Sequence, residues 1–411
     1  MAKNQNLNAA AKAKKDEFYT QLSDIEKELR YYRKHFKDKT VLCNCDDPFE
    51  SEFFKYFVLN FNKLGLKKLI ATCYAGSSLV GTQLSLFDVT GNDADRTEQG
   101  KPYKAVVTQV YDITGDGAIT MTDIKELFTQ GENELTELKG DGDFRSDECL
   151  ALLDESDIVV TNPPFSLFRE YVGTLIEHEK KFIIIGNVNA ITYKEIFPLL
   201  MNNQMWIGAS IHSGDRAFHV PDDYPLNAAG CGVDENGRRF IRVKGVRWYT
   251  NLDIKQRHEP LILVRKFDPI KYPKYANYDA VEVGKVADIP YDYAGLMGVP
   301  VTFLDKYNPE QFEILGQSRT LGRPMSEIAE KGEYVSGGVR FYLRDNSSPT
   351  DRPTDRPTIQ VSLPLRPNRH QEQTPRSISD CMTALSFATS TQRNRGSNGD
   401  RAKENHRSRC C

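Results

Sequence analysis

Apolar positions along this chain follow two rhythms, and the switches between them mark the elements. Ile25, Leu29, Tyr32 and Phe36 recur at helical spacing, and Ser23 with Glu26 gives a capping-box pattern for the helix start. The short run TVLCNC (40–45) predicts a strand. Asp47 and Pro48 read as the N-cap and first residue of a second helix. Its apolar face holds Phe49, Phe53, Phe54, Phe57, Val58 and Phe61, and Gly65 ends it. KKLIATCY (67–74) predicts another strand, residues 75–104 a long polar excursion, AVVTQVYDI (105–113) a further strand, and a helix begins near Asp123. DIVV (157–160) reads as a buried strand, and Leu167, Phe168, Tyr171, Val172, Leu175 and Ile176 make the next helix amphipathic. KFIIIGN (181–187), QMWIGASI (204–211) and PLILVRKF (260–267) complete the strand set. Strands alternating with helices imply an α/β fold with a mainly parallel sheet. Ligands in such sheets sit beyond the carboxyl ends of the strands, where Asp46, Asp47 and Asn162 are placed.

Composition divides the chain. Residues 1–22 are polar and alanine-rich and are expected to be flexible, 23–267 carry the alternating pattern, and 268–345 keep enough apolar content for a smaller appended region. After Asp345 the tandem Asp-Arg-Pro-Thr repeat opens a Ser-, Thr-, Arg-, Asn- and Pro-rich tail, so 346–411 are expected to be disordered or a reading-frame artefact. The 411 residues, 39% hydrophobic, suffice for a large core, and a net charge of -3 does not advertise a nucleic-acid partner, although a local basic patch is compatible with it. No apolar run is long enough to span a bilayer and the N-terminus is polar, which points away from membrane and secretion. The eight cysteines form no Cys-x-x-Cys pair, so we expect a reducing cytoplasm, no metal site and no disulfide framework.

The stretch DIVVTNPPFSLF (157–168) carries the chemistry. Two prolines between a strand and a helix fix one backbone shape at that corner. An exocyclic amine on an aromatic ring, such as adenine N6, is a poor nucleophile because its lone pair is delocalised into the ring. Two acceptors aimed at its N–H groups localise that lone pair. The Asn162 carboxamide oxygen supplies one and the Pro163 carbonyl the other, with Pro164 stiffening the loop and Phe165 offering a stacking face. The matching electrophile is the methyl of S-adenosylmethionine. A base inside a duplex cannot reach such a corner and must be flipped out. The bland alternative is a strand-ending turn.

Asn-Pro-Pro-Phe/Tyr is also the catalytic motif of amino-methyltransferases acting on adenine, cytosine or glutamine amides. The wider chain resembles the EcoRI-type adenine-specific DNA methyltransferases through KDEFYTQ, CDDPFESEFFKYF, LKGDGDFRSDE, DIVVTNPPFSLFREYV, IIIGNVNAITYKE, GVRWYTNLD and GVPVTFLDKYNPEQFEILG, from about residue 14 to 345. VRFYLRDN looks like the start of a last basic strand, and the tail beyond it matches nothing in the family. The resemblance implies a Rossmann-like S-adenosylmethionine-dependent sheet with a smaller C-terminal region. It implies catalytic roles for Asn162, Pro163, Pro164 and Phe165. It places Phe18, Tyr19 and Thr20 near the cofactor's methionine part, Asp46, Asp47, Pro48 and Phe49 in the first cofactor motif, and Asp143 and Phe144 near its adenine. Two departures stand out. Glu50-Ser51-Glu52 replace the usual glycines, and Thr72-Cys73-Tyr74 offer no carboxylate for the ribose. Asp47 alone also reads as a helix cap, Phe18 and Tyr19 as core aromatics, and Asp143 as part of a polar turn.

Other signals carry two readings each. DITGDGAITMTD (112–123) mimics a calcium loop but lacks the twelfth-position Glu, so a turn with Asp123 as the N-cap of the following helix is preferred. GRRFIRVKGVRWYT (237–250) interleaves Arg238, Arg239, Arg242, Lys244 and Arg247 with Phe240, Trp248 and Tyr249, as a DNA-binding strip or an ordinary hairpin. HSGDRAFHVP (212–221) is a candidate part of the base pocket, with His212 and His219 equally readable as structural. Arg393 and Arg395 in the tail suit loose DNA contacts or plain solvation. The expectation is a cytoplasmic enzyme methylating adenine N6 in double-stranded DNA as a monomer, with a cognate restriction endonuclease as genetic partner. RNA-adenine or protein-glutamine methylation, and a non-catalytic DNA- or calcium-binding protein, are the alternatives.

Overall fold

In chain order the strands that matter for the site are β1 (Tyr19–Thr20), β2 (Thr40–Cys43), β3 (Lys68–Thr72), β4 (Tyr103–Val107), β5 (Glu134–Glu137), β6 (Ile158–Thr161), β7 (Lys181–Asn187), β8 (Trp206–Ile207), β9 (Asp215–His219), β10 (Gly232–Val233), β11 (Arg239–Lys244) and β12 (Val246–Thr250). A computed structural model describes them within residues 19–45, 48, 51–73, 102–220, 224, 226, 230–330, 342–343, 352–353 and 358–362. The largest sheet has the order β5-β4-β3-β2-β6-β7-β12-β8. Its centre, β3-β2-β6-β7, is parallel, and the outer strands on both sides run antiparallel. The central parallel strands β2 and β6 are covered on both faces along their whole length, which is why TVLC and IVVT are apolar or small throughout and buried at every position.

The two faces of this sheet can be read residue by residue. Val41, Cys43, Leu69, Ala71, Ile158, Val160, Ile183 and Ile185 join one core, with helices α1 (Leu22–Leu29), α2 (Glu52–Leu59), α3 (Phe61–Leu64) and α4 (Met121–Thr129). Leu42, Ile70, Val159, Phe182 and Ile184 join the other, with α5 (Asp147–Glu155), α6 (Phe168–Glu177) and α7 (Phe197–Met201). The strand period of two thus separates the cores, and helices close both faces in a three-layer, Rossmann-like arrangement.

A second sheet, β1-β9-β11-β10, hangs off the first through Gly245. Its left-handed φ of 72° lets the chain leave β11, paired with β9, and enter β12, paired with β7. The segment expected to be one hairpin therefore serves two sheets. A third sheet joins β13 (Val281–Glu282), β14 (Met297–Pro300), β15 (Glu313–Gln317) and β18 (Thr358–Ser362), and β16 (Tyr342–Leu343) pairs with β17 (Arg352–Pro353). Val281, Met297, Val299, Ile314, Ile359 and Val361 pack in the same core as Val159 and Ile184, so one continuous core crosses the boundary expected at 267.

Several local expectations are corrected. Regular structure does not stop at Asp345, because Ile359 and Val361 fill the core between β14 and β15. Helix α1 starts at Leu22 behind Gln21, without a side-chain cap, so Ser23 and Glu26 form no capping box. Helix α2 starts at Glu52, capped by Ser51, whose hydroxyl accepts from the Phe53 N–H at 3.2 Å, so Asp47 is not its cap. QMWIGASI contributes only the two residues of β8. PLILVRKF enters no sheet: the Gln311 amide takes the Leu261 backbone as a neighbouring strand would, and Ile262 and Val264 are left 84% and 71% exposed.

Candidate active site

The ends of β2 and β6 lie side by side, and Asn162 follows β6 directly. Asn162 and Pro163 are buried, Pro164 and Phe165 half-buried. The Leu167 N–H closes the corner on the Pro164 carbonyl at 3.0 Å, one residue before α6 begins. Phe165 packs against the core that contains α2. The corner is fixed from below by a residue that the sequence pattern passed over as ordinary strand. Asn44, buried just past β2, accepts the Thr161 hydroxyl on its backbone carbonyl and the Tyr171 hydroxyl on Oδ1, the latter at 2.5 Å. One asparagine so ties the ends of β2 and β6 to the helix that follows the two prolines. Tyr171 is fully buried and burial drives its phenol well above its ordinary value, so it stays a donor at any working pH. After Asn44 the chain turns sharply, with Cys45 at φ 80°, a costly region for a residue with a side chain.

A third strand end is brought to the same place by Gly142. A Cβ there would lie 2.1 Å from the Cys73 carbonyl oxygen at the end of β3, and φ is 77°. The loop carrying Asp143 and Phe144 can lie this close only because the residue is glycine. The Phe144 ring meets Tyr171 edge-on at 5.0 Å, so it touches the anchor of Asn44. Asp143 is committed to Arg145, accepting from Nε at 2.8 Å, Nη2 at 2.5 Å and the backbone N–H at 2.9 Å. These bonds, the guanidinium first, hold its carboxyl below the usual range. Of the remaining expected cofactor residues, Pro48 is buried. Tyr19 and Thr20 form β1, buried against β9 opposite His219 and Phe218. Phe18, Asp46, Asp47 and Phe49 lie outside the described residues, as do Arg393 and Arg395.

The weaker signals resolve by burial. Arg247, Trp248 and Tyr249 are core residues, not a surface strip. Arg247 pairs with Asp305 at 2.9 Å and donates to the His212 carbonyl at 2.5 Å. Arg242 and Lys244 remain exposed on β11, with Arg242 5.9 Å from the Phe240 ring. In the calcium-like loop the carboxylates face backbone. Asp112 accepts from Gly115 and Gly117, and buried Asp123 accepts from Ile113, Thr114 and Thr120. Thr120, not Asp123, is the N-cap of α4, with Asp123 completing a capping box.

Comparison with known proteins agrees with this geometry. The family described as adenine-specific methyltransferase EcoRI matches residues 6–377. The chain belongs to this family. The match runs past Asp345, in keeping with the place of β18 in the third sheet. Type II methyltransferase M.EcoRI of Escherichia coli is 48% identical over 316 residues, 76% of this chain and 89% of that protein. Type II methyltransferase M.MpnI of Mycoplasma pneumoniae is 39% identical over 315 residues, 75% of this chain and 84% of its own. M.MgeORF184P of Mycoplasma genitalium is 37% identical over 315 residues, covering 75% and 85%. No solved structure matches the chain.

Proposed function

We propose that the chain methylates N6 of an adenine turned out of a specific site in duplex DNA, with S-adenosylmethionine as donor. The carrying observation is Asn162 itself: a buried carboxamide at the end of a central parallel strand, followed by two prolines and held in place through Thr161 and Asn44. The residues around it suit an adenosine-bearing donor, because Asn44, Cys73 and Asn162 follow three neighbouring strands, Gly142 brings its loop against Cys73, and Phe144 meets Tyr171, the partner of Asn44. The donor supplies an electrophilic methyl on a sulfonium. Everything else is done by the chain. Asn162 Oδ1 and the Pro163 carbonyl accept from the two N6–H groups, which restores nucleophilic character to the nitrogen. Phe165 stacks on the base. The product nitrogen then gives its extra proton to water, so no protein base is needed. Asp143 reaches the donor's adenine only by sharing or releasing Arg145.

Exposed Arg242 and Lys244 near Phe240 suit phosphate contacts by this DNA. A monomer is sufficient, since one base enters at a time, and a cytoplasmic role beside a cognate restriction endonuclease follows from the same reading. The test is methyl transfer from radiolabelled donor to duplex DNA, total RNA and bulk protein in parallel, with the DNA digested to nucleosides. Label in N6-methyladenine, lost in Asn162→Ala while DNA binding survives, supports the assignment. Label in RNA or protein alone selects the alternative substrate, and unchanged transfer by Asn162→Ala refutes the mechanism.

A further inference from the structure

Glu28, on α1, is fully buried, and no cation pairs with it among the described residues. It accepts three hydrogen bonds instead. The Tyr32 hydroxyl donates to Oε1 at 2.7 Å, the Ala209 N–H to Oε1 at 2.8 Å and the Ser210 N–H to Oε2 at 2.7 Å. All three partners are donors, a pattern that an acceptor-only group satisfies. The carboxylate fits under the chain because residue 208 is glycine. A Cβ there would lie 2.3 Å from Glu28 Oε1 and 2.5 Å from the Trp248 Cβ. A buried charge seldom adds stability over an apolar side chain of similar volume. What this one supplies is a fixed path for the chain after β8.

That path leads to the candidate site's edge of the sheet. β8 pairs antiparallel with β12, and β12 antiparallel with β7, so β8 runs in the same direction as β7 and β6. Residues 208–214 therefore leave the sheet at the edge where Asn162 follows β6. With β7 and β12 between, they start three strand spacings, about 14 Å, from β6. That is about four steps along one strand of DNA. The loop is tied at both ends. Glu28 takes the N–H groups of 209 and 210, and the Gly208 N–H goes to the Trp248 carbonyl at 2.8 Å. Arg247 takes the His212 carbonyl at 2.5 Å. His212, Ser213 and Gly214 are left as an exposed tip. Exposed Lys244 is the cross-strand neighbour of Asp215, so a cation stands beside the tip.

We propose that Glu28 is a positioning residue for substrate DNA, holding residues 209–214 in the shape that meets the duplex beside the flipped adenine. The inference rests on the DNA reading above. Glu28 touches neither the base nor the donor and acts through the loop alone. In Glu28→Gln one of the two loop N–H groups faces the new NH2 in either amide orientation.

The experiment is steady-state methyl transfer to sheared genomic DNA that lacks methylated adenine. Glu28→Gln, Tyr32→Phe and Ser213→Asp are compared with wild type, and melting curves report the fold. In Glu28→Gln the KM for DNA is expected to rise about ten-fold or more, with kcat within about two-fold of wild type, because the Asn162 corner is untouched. Tyr32→Phe removes the helix-side donor but no loop bond, so it should lower the melting temperature and leave the KM for DNA unchanged. Ser213→Asp puts a negative charge on the exposed tip and keeps Glu28, so its KM for DNA should rise as well. It decides the matter should Glu28→Gln not fold. An unchanged KM for DNA in Glu28→Gln or in Ser213→Asp, or an equal rise in Tyr32→Phe, overturns the positioning role and leaves the methylation reading standing. A wild-type chain that puts no label into DNA overturns both.

Discussion

Tyr171→Phe removes a single oxygen from the support of the proposed catalytic corner. The hydroxyl donates to Asn44 Oδ1 at 2.5 Å, and both residues are buried, at 2% and 8% exposure. Loss of the bond, with Asn44 Oδ1 left with only the weak Cys45 thiol donor at 3.6 Å, should cost about 1–3 kcal/mol. The ring stays, so its edge contact with Phe144 and its core packing are kept, and no cavity larger than one atom is made. At about 2.1 cal/mol/K per residue, a unit the size of Met1–Pro364 loses roughly 1.3 °C of melting temperature per kcal/mol, so the shift should be about 1–4 °C. The catalytic loss should exceed what this small destabilisation explains. Asn44 keeps its bond to the Thr161 hydroxyl, so Asn162 moves by less than the ~1 Å that costs about a hundred-fold. A fall in kcat of about ten-fold is expected, with DNA affinity unchanged. Because the phenol does not titrate near neutrality, the deficit should be constant from pH 6 to 9. Urea melts and single-turnover methyl transfer would decide it. Wild-type stability together with wild-type turnover would refute the role given to Asn44.

Three further outcomes follow from particular contacts. Gly142→Ala forces its Cβ against the Cys73 carbonyl and should lift the Asp143–Phe144 loop, weakening 5′-methylthioadenosine binding by about ten-fold or more in calorimetry, with a smaller loss of stability. Arg247→Met leaves buried Asp305 with only the half-exposed His212 ring, 3.7 Å away, and should cost about 3–5 kcal/mol in urea unfolding, most of it recovered by adding Asp305→Leu. His212 is pushed above the ordinary imidazole value first by its contact with Asp305, so the charged ring favours the fold. That contribution is complete below about pH 6.5 and is lost as the pH rises through the raised value, a slope that His212→Gln should flatten in melts between pH 6 and 9. With the side chain 46% exposed, the slope will be shallow.

The proposed catalytic corner stands out in the sequence because its chemistry is local. Asn162 to Phe165 are consecutive, and the strand before and the helix after are each signalled by their own periodicity. What escaped was whatever depends on a partner distant in sequence. Asn44 looks like one more residue of a strand, and its role appears only when Thr161 and Tyr171, 117 and 127 positions away, converge on it. Leu261 to Val264 have the alternation of a strand, yet pairing is a property of two segments, and here the Gln311 side chain occupies the edge that a second strand would need. The opposite error occurred at Thr358–Ser362. Polar composition argued against order, but Ile359 and Val361 alone fill the inner face of a five-residue strand, too few to register in a tail rich in Ser, Thr and Pro.

The basic-aromatic segment shows why one-dimensional charge patterns mislead near a sheet junction. Gly245 splits the segment, and the two halves then obey different rules. On β11 only one face is buried, so Arg242 and Lys244 alternate outward past Ile241 and Val243. On β12 both faces are buried, so Arg247 goes inward whatever its charge, and it needs Asp305 there. Asp305 sits beyond residue 267, in the region expected to be a separate appendage. A buried guanidinium whose counter-charge comes from that region binds the two parts into one folding unit. It follows that truncation near 267 should remove more than a target-recognition module: it would leave Arg247 without its counter-charge inside the largest sheet, on β12, separated from Asn162's own β6 only by β7.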